Sequence, residues 1–289
     1  MGNQLEYELI EKKARQRQRI RRIITYVFLA FWAVMVLFPF YWMVLTSVNS
    51  YSAYNSEYIP KFYTLSPTLQ NYIDAFTAVP LARYFLNTLL FTVATTALMM
   101  FVIVLAAFAF ARLEFRGKNL VFTIVLVVMM IPFEILLLPL YRMLIRAHLT
   151  DTYIGVVMPY LVPPFMVFFF RQYVQGLPRE LLEAGRIDGC SDYGVFFRIM
   201  VPIMIPAFGA MTILSCMNSW NNLLWPLIVL STNEKFTIPI GMGTTITPYG
   251  NAFDVLMPGA VMAVVPIVIL YLFAQKTFIA GLTAGSVKG

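Results

Sequence analysis

Few residues in this chain have the types and spacing that catalysis requires. The nearest match to a phosphate-binding loop is Gly117-Lys118-Asn119, which lacks the first glycine and the hydroxyl that hold a nucleotide in such a loop. We find no Ser/His/Asp set, no cluster with metal-ligand spacing and no carboxylate pair in a cleft-like context. The sequence therefore predicts a protein that is not an enzyme, has no ATPase site of its own and binds neither a metal nor a cofactor.

Two ionisable residues stand close to long apolar stretches. Glu134 is the one carboxylate inside such a stretch, and His148, the only histidine, lies beyond the end of the same stretch. Carriers driven by protons or sodium usually place ionisable groups inside the membrane. We interpret Glu134 as bonded to backbone groups freed near Pro132, or solvated at the membrane interface, with a proton relay as the less favoured alternative. Active transport by this chain would then need energy from another chain.

The elements around these residues are those of a membrane protein. Hydrophobic residues make up 60% of the 289 residues and charged residues 12%, and the mean hydropathy is +0.75. That composition excludes a soluble domain. A helix needs about 20 apolar residues to cross a hydrocarbon core about 30 Å thick. Six predicted spans reach this length, at residues 24–47, 84–111, 119–140, 152–172, 202–230 and 255–275.

Prolines mark two of these spans. Pro159, Pro163 and Pro164 interrupt the fourth span, and we expect neighbouring helices to satisfy the backbone groups that these prolines free. In the third span we expect a bend near Pro132. The last outward loop, residues 231–256, is rich in proline and glycine, which predicts irregular structure there.

The distribution of Lys and Arg predicts the orientation of the spans. Of the 21 Lys and Arg residues, 16 fall in the tails and loops on one side of the membrane and 5 on the other. The richer side is cytoplasmic by the positive-inside rule, so both termini are predicted to be cytoplasmic. Residues 1–23 then form a basic tail against anionic lipid, residues 24–280 the transmembrane domain, and residues 281–289 a C-terminal tail. No motif supports nucleic-acid binding.

The first span is predicted to stay in the mature protein. Its apolar run of about 24 residues is too long for the apolar region of a signal peptide, and no small-residue cleavage site follows it. We therefore expect this span to anchor the chain as one of six.

A polar, amphipathic insert at residues 177–202 separates the fourth and fifth spans on the predicted cytoplasmic side. Pro178 suits the first turn of a helix, and Gly189 suits the position just past its end. Glu183 falls on the charged side of this helix and Ala184 on its apolar side. A channel or a simple anchor has little need for such a segment.

A second helix is predicted in the same insert. Ser191 or Asp192 would cap it, and it would run to Pro202. Two short helices joined by a glycine turn and held between two spans would make a rigid lever. From the residues alone, a plain amphipathic element at the membrane interface remains an equally good interpretation.

The insert resembles the conserved cytoplasmic loop of binding-protein-dependent ABC importer permeases. That loop has the form E-A-A, two residues, D-G-A, about eight residues and I-x-L-P. The matching residues here are Glu183-Ala184-Gly185, Asp188-Gly189-Cys190 and Ile199-Met200-Val201-Pro202. The departures are Gly185, Cys190 and Val201, and the glycine weakens the helix slightly.

Four further segments extend the resemblance over nearly the whole chain. They resemble the carbohydrate subfamily of these permeases, and more narrowly the smaller, six-span subunit of the maltose-permease type. The segments read TLQNY in the first outer loop, ARLEFRGKN after the second span, SWNNLLWP in the fifth span and GLTAGSVKG at the end.

The resemblance implies an all-α integral membrane protein with the type I ABC importer permease fold, in the plasma (inner) membrane of a bacterium or archaeon. It also implies four partners, namely a second permease subunit, two cytoplasmic ATPase subunits that use ATP and Mg, and an extracytoplasmic solute-binding protein. The short helix would dock into the ATPase and drive alternating access. The docking residues carried over from the motif are Glu183, Ala184, Gly185, Asp188 and Gly189.

A polar stripe in the fifth span gives the candidate substrate residues. Ser215, Asn218, Ser219 and Asn222 are spaced i, i+3, i+4 and i+7, so they share one helical face. In membranes such residues often only hydrogen-bond a neighbouring helix. The alternative is a sugar-contacting face, with Trp220 or Trp225 stacking on a ring. Both interpretations stay open.

The sequence thus predicts the permease subunit of an importer for a sugar or oligosaccharide. The same machinery could import a glycerophosphodiester or a polyol, because the subfamily motifs do not separate these solutes. A secondary carrier or channel is disfavoured by the charge-poor spans and by the insert. The outward loop 231–256 is a candidate for contact with the binding protein.

Overall fold

The structure, a computed structural model, describes residues 2–50, 62–247, 250–251 and 253–283. Nearly all of these residues are helical. The chain divides into two compact units. One contains residues 1–74 and 253–261, and the other contains residues 75–252 and 262–289. We describe each unit by itself.

The first unit is built on one long helix. Helix α1, Gly2–Val48, joins the predicted basic tail and the first predicted span in 47 continuous residues. Helix α2, Gln70–Ala78, follows the outer loop, and Thr68 Oγ1 accepts a hydrogen bond from the Gln70 N–H at 3.0 Å. Asn71 donates to the Ser47 carbonyl at 3.0 Å, which ties the start of α2 to the end of α1.

The core of the second unit lies among three long helices. They are α3, Leu81–Arg112, α7, Pro164–Gln175, and α11, Ile205–Trp220. Ile103, Phe170 and Ala207, one from each helix, are fully buried in one apolar cluster. This cluster continues into the segment that precedes α11, where Phe196 and Met200 are also buried.

The third and fourth predicted spans are each a pair of helices. The third consists of α4, Lys118–Val128, and α5, Phe133–Arg146, which meet at 109°. The fourth consists of α6, Tyr153–Val157, continued by a 3-10 turn and then by α7 at an angle of 43°. The sequence predicted an interrupted fourth span, and that prediction is confirmed.

The bend predicted near Pro132 in the third span is confirmed, because α4 and α5 meet there at 109°. Pro132 has ψ 135°, which is extended rather than helical, and it has no N–H to continue the helical ladder. The chain therefore turns sharply, and α5 extends to Arg146, beyond the predicted end. Glu134 lies in the exposed first turn of α5, where a carboxylate is favoured by the helix dipole.

The fifth predicted span, 202–230, is also interrupted. The helix that leads into it meets α11 at 71°, with Pro206 in the first turn of α11. At its other end α11 stops at Trp220, and the Asn221 side chain bonds back to the Met217 carbonyl at 2.9 Å. A separate short helix, α12, Leu224–Val229, follows.

The outward loop is more regular than the sequence predicted. It contains a 3-10 turn at Asn233–Lys235, helix α13 at Ile238–Thr244, and a two-residue antiparallel ladder of β1, Ile246–Thr247, and β2, Gly250–Asn251. The prediction of irregular structure was therefore wrong for most of this loop. The tip residues Pro248 and Tyr249 lie outside the described residues.

The last helix, α14, Phe253–Thr283, contains the sixth predicted span. Within the described ranges, three helices are long and apolar enough to cross a membrane, and six spans result if each bent pair is one span. The predicted C-terminal tail falls almost entirely outside the described residues.

Candidate functional site

The insert forms a short helix with a well-defined end. Helix α8, Arg179–Ile187, begins after Pro178. At its other end Gly189 has φ +82°, in the left-handed region that favours glycine. The Cys190 N–H donates to the Gly185 carbonyl at 2.9 Å, and the Gly189 N–H donates to the Arg186 carbonyl at 3.0 Å. These two bonds form a Schellman motif, so the helix end is fixed by backbone geometry.

Gly185 is the point at which α8 contacts the rest of the insert. It is buried, while Glu183, Ala184 and Asp188 are exposed. A Cβ at position 185 would overlap the Ile199 side chain and lie 3.3 Å from Val195 Cγ2. Ala184, predicted on the apolar side of the helix, is exposed, and the closest approach of the two helices is at Gly185, which has no side chain.

The second part of the insert leads from α8 into the core. The Ser191 hydroxyl accepts a hydrogen bond from the Gly194 N–H at 3.2 Å, so Ser191 is the cap of this part. Helix α9, Asp192–Val195, continues as a π turn, Phe196–Met200, and as α10, Val201–Ile203. Cys190 and Ile199 pack against the core cluster of α3, α7 and α11.

One face of the insert is apolar and exposed. The Ile187 side chain is 86% exposed and that of Tyr193 is 71% exposed. Glu183, one helical turn before Ile187, is charged and exposed. Exposed apolar residues rimmed by polar ones mark sites of protein interaction. We call the exposed residues Glu183, Ala184, Ile187 and Asp188, at the end of α8, the docking face.

The polar stripe of the fifth span is divided by burial. Ser215 and Ser219 are buried, whereas Asn218 is exposed. The Ser215 hydroxyl lies 3.3 Å from Thr96 Oγ1 of α3. Asn222 lies beyond the end of α11 and is half-buried. The structure thus leaves Asn218 as the stripe residue with its side chain on the surface of this chain.

A cavity of about 210 Å³ lies between α3, α11 and α14. Its lining residues from α11, Cys216, Met217 and Trp220, lie on the opposite face of that helix from the stripe. The lining of the cavity is mainly apolar, so it does not suit a polyhydroxylated ligand. A sugar would have to be contacted from the exposed side that carries Asn218. The lining residues are Leu89, Thr92, Val93, Cys216, Met217, Trp220, Pro266, Ile267 and Leu270.

An outer cluster around Asp151 was not singled out by the sequence. The Asp151 carboxylate accepts hydrogen bonds from the Ser231 N–H at 2.9 Å and the Thr232 N–H at 3.1 Å. It also accepts from the Thr232 hydroxyl at 2.5 Å and the Lys235 ammonium at 2.8 Å. We call Asp151, Ser231, Thr232 and Lys235 the Asp151 clamp. Asp151 is 80 or more positions from the other three residues in the chain, so no local sequence pattern reports the clamp.

The first turns of α3 hold the same loop from a second direction. Asn87 donates to the carbonyls of Glu234 at 2.8 Å and Phe236 at 2.9 Å. The Thr88 hydroxyl accepts a hydrogen bond from the Ile238 N–H at 2.8 Å, which satisfies a free donor at the start of α13. Tyr84, which is buried, donates to the Asn233 side chain.

Comparison with known proteins finds relatives that match this chain over nearly its whole length. The family profile described as "Binding-protein-dependent transport system inner membrane component" matches residues 103–282. The arabinooligosaccharides transport system permease protein AraQ of Halalkalibacterium halodurans is 47% identical over 262 residues, with 90% of this chain and 94% of the relative covered. AraQ of Bacillus subtilis (strain 168) is 44% identical over 276 residues, covering 93% and 97%.

The fold also matches a solved structure. A bacterial ABC transporter involved in the import of the acidic polysaccharide alginate contains a chain that superposes with a TM-score of 0.80. The match covers 90% of this chain and 97% of that one at 21% identity. At this identity the similarity concerns the fold, which is that of an ABC importer permease. The chain is accordingly a multi-pass protein of the inner membrane.

Proposed function

Because this chain belongs to the family of binding-protein-dependent transport system inner membrane components, we propose that it is a permease subunit that imports an oligosaccharide. In this proposal it forms the membrane pathway together with a second, similar permease. Two cytoplasmic ATPase subunits supply the energy, and an extracytoplasmic solute-binding protein delivers the sugar. This chain supplies the transport subunit and no ATPase site.

The observation that carries the proposal is the docking face on α8. Its apolar residue Ile187 is 86% exposed although the helix is short and polar. An exposed apolar side chain at the centre of a polar rim suits insertion into a cleft of another protein. The match of Glu183, Asp188 and Gly189 to the family motif supports the ATPase as that protein.

The structure of the insert suits the transmission of force. The Schellman end and the close approach of Gly185 to Ile199 hold α8 rigidly on α9 and the π turn. The π turn in turn belongs to the core that includes α3, α7 and α11. A displacement of α8 by a closing ATPase would therefore move packed helices rather than bend a loop.

Alternating access then follows as a two-state equilibrium. Moving such an equilibrium from about 1:99 to 99:1 needs a difference of about 5.5 kcal/mol in the binding of the partner to the two states. The ATP-bound ATPase would supply that difference at the docking face. Glu183, Ala184, Gly185, Asp188 and Gly189 are the residues that we assign to this coupling.

The substrate class rests on the named relatives and on the stripe. The two relatives described above are named for arabinooligosaccharides, so we propose a pentose-containing oligosaccharide as the first solute to test. An exposed amide on a membrane helix is costly against lipid. Asn218 is therefore expected to face the second permease or the aqueous pathway.

The basic residues of the tail fit the same orientation. With α1 crossing the membrane, Lys12, Arg15 and Arg22 would lie on the cytoplasmic side near anionic headgroups. Each such contact is worth about 1 kcal/mol near the surface. The tail would thus help to fix the first span in its predicted orientation.

The proposal is tested by the ATPase activity of the reconstituted complex, with its binding protein and a panel of arabinooligosaccharides, other oligosaccharides and glycerophosphodiesters. Wild type is compared with Glu183→Ala combined with Gly189→Asp. We expect one class of oligosaccharide to stimulate the wild type and the double variant to be inactive or uncoupled.

Glu114→Ala is the matched control, because Glu114 is an exposed carboxylate outside the insert, paired only with Lys118 at 3.3 Å among the described contacts. It should behave like wild type. A double variant that is stimulated as strongly as wild type would rule out the insert as the coupling element. Stimulation by a glycerophosphodiester and by no sugar would rule out the oligosaccharide.

A further inference from the structure

The Asp151 clamp contributes to local geometry more than to overall stability. The side chains of Lys235 and Asp151 are 37% and 27% exposed, and ion pairs with that exposure add little to the free energy of unfolding. The same carboxylate nevertheless fixes two successive backbone N–H groups, of Ser231 and Thr232. Lys235 also donates to the Asp151 carbonyl at 2.6 Å, so it bonds both the backbone and the side chain of Asp151.

The backbone of Asp151 is adapted to this role. Its φ is +56°, a conformation that few residues other than glycine, asparagine and aspartate adopt readily. The Asp151 N–H donates to the Val229 carbonyl at 2.8 Å, next to the loop that the carboxylate holds. The left-handed turn thus directs both the backbone and the side chain of one residue toward the same segment.

The loop held by the clamp determines where α13 begins. Only Phe236 and Thr237 separate the clamp residue Lys235 from Ile238, the first residue of α13. Thr88 and Asn87 bind the same loop from α3. The orientation of α13 and of the β1–β2 ladder after it is therefore set by the clamp on one side and by α3 on the other.

We propose that Asp151 is a positioning residue for the docking of the solute-binding protein. In this inference Asp151 touches neither the solute nor the binding protein. It holds residues 231–237 so that α13 and the β1–β2 ladder are already ordered when the binding protein arrives. Order that is set before binding lowers the cost of association. The inference rests on the proposed function, since it needs a binding protein as the partner.

The experiment measures ATPase activity of the complete importer in proteoliposomes while the binding protein is titrated. Asp151→Gly keeps the backbone free to adopt φ +56° and removes every side-chain bond of the clamp. Asp151→Asn also tolerates that backbone conformation. Its amide oxygen can still accept from the Ser231 and Thr232 N–H groups, but its NH2 group cannot accept from Lys235 or from the Thr232 hydroxyl. We expect the half-saturating concentration of binding protein to rise roughly tenfold in Asp151→Gly, and less in Asp151→Asn.

The maximal ATPase rate and the thermal midpoint of the complex should stay near those of the wild type. Lys235→Gln should raise the half-saturating concentration as Asp151→Asn does, and the double variant should raise it no further, because the two residues act as one unit. Glu114→Gln is the matched control, since it breaks a different ion pair, with Lys118 at 3.3 Å, and should change nothing.

Two results would overturn the inference alone. One is an unchanged half-saturating concentration in both Asp151 variants while the wild type is stimulated normally. The other is a fall in the maximal rate and the thermal midpoint that accounts for the whole effect, which would make Asp151 a general structural residue. If the wild-type complex responds to no binding protein at all, the proposed function fails and the inference fails with it.

Discussion

The α-carbon of Gly185 lies against the side chain of Ile199, and this contact joins the two halves of the cytoplasmic insert. Gly185 is buried although Ala184 and Arg186 on either side are exposed. The glycine lowers the helix propensity of α8 by about 1 kcal/mol relative to alanine. It is tolerated because a Cβ there would overlap Ile199, so the close packing offsets the weaker helix.

Filling the Gly185 position should separate the two halves of the insert. Gly185→Val would force Ile199 and Val195 apart, and overpacking of this kind typically costs about 1–3 kcal/mol. We expect a lower thermal midpoint of the assembled complex and a loss of coupling between ATPase activity and transport. Ala184→Val is the control, because it places the same side chain on the exposed neighbouring position. Equal effects of both variants would contradict the contact.

The left-handed turn at Gly189 should be sensitive to any side chain. An L-residue in that conformation costs about 1–2 kcal/mol, so Gly189→Ala should destabilise the insert, as seen in the thermal midpoint and in coupled ATPase activity. Gly176→Ala is the comparison, since Gly176 ends α7 with φ −77°. It should be neutral or stabilising by about 0.5 kcal/mol. A harmless Gly189→Ala would show that the turn is not held in solution.

Helix α13 should be disturbed by a methyl group at Gly241 and not at Gly243. A Cβ at Gly241 would overlap the ring of Tyr84, which is buried and bonds Asn233. A Cβ at Gly243 would meet nothing within 4 Å. We expect Gly241→Ala to weaken stimulation by the binding protein and to cost about 1–3 kcal/mol. Gly243→Ala should leave both measurements unchanged, and equal behaviour of the pair would refute the packing.

The stripe residues should separate into packing and transport roles. Ser215→Ala removes one buried contact with Thr96, so it should cost about 1 kcal/mol of stability and leave the KM for uptake unchanged. Asn218→Ala and Asn222→Ala should raise the KM for uptake of the oligosaccharide, with Ser219→Ala having a smaller effect. Uptake of radiolabelled sugar into proteoliposomes measures this. Unchanged KM values in all four variants would make the stripe a packing surface.

The Asp151 clamp should persist in mildly acidic medium. Desolvation alone would raise the pKa of Asp151, but hydrogen bonds from Lys235, Thr232 and Ser231 outweigh it and hold the pKa below its ordinary value. A carboxyl with a lowered folded pKa contributes stability that is fully present above its unfolded pKa of about 3.9. That stability is lost only as the pH falls through the lower folded pKa.

We therefore expect the half-saturating concentration of binding protein to be the same at about pH 7.5 and about pH 5. His148→Asn is the control background, because histidine is the side chain whose charge ordinarily changes in this interval. A clear rise at the lower pH in that background would mean that the clamp carboxylate is not held in its charged form.

Composition and proline positions predicted the apolar segments and the interruptions of the third and fourth, but not the break in the fifth. In the third segment Pro132 predicted a bend without fixing its angle of 109°. The sharp turn depends on Pro132, but the direction in which α5 leaves the turn is set by the helices against which α5 packs. In the outer loop the glycines suggested irregular structure. Gly241 nevertheless lies in helix α13, where the ring of Tyr84 occupies the space that a side chain would take.

The sequence by itself determined the class of the protein, the approximate positions of its apolar segments and the short helix of the insert. These follow from composition, hydrophobic length and a local pattern of residues, which need no knowledge of distant contacts. The motif residues Glu183 to Gly189 are contiguous, so their helix and its glycine end were readable.

Only the tertiary structure decided which of these residues touch others. The burial of Gly185 depends on the packing of Ile199 from the next helix of the insert. The contact of Ser215 with Thr96 and the clamp of Asp151 on Lys235 depend on partners far away in the chain. Such pairs are selected by the packing of whole helices, and the energy of each pair is too small to leave a local signal.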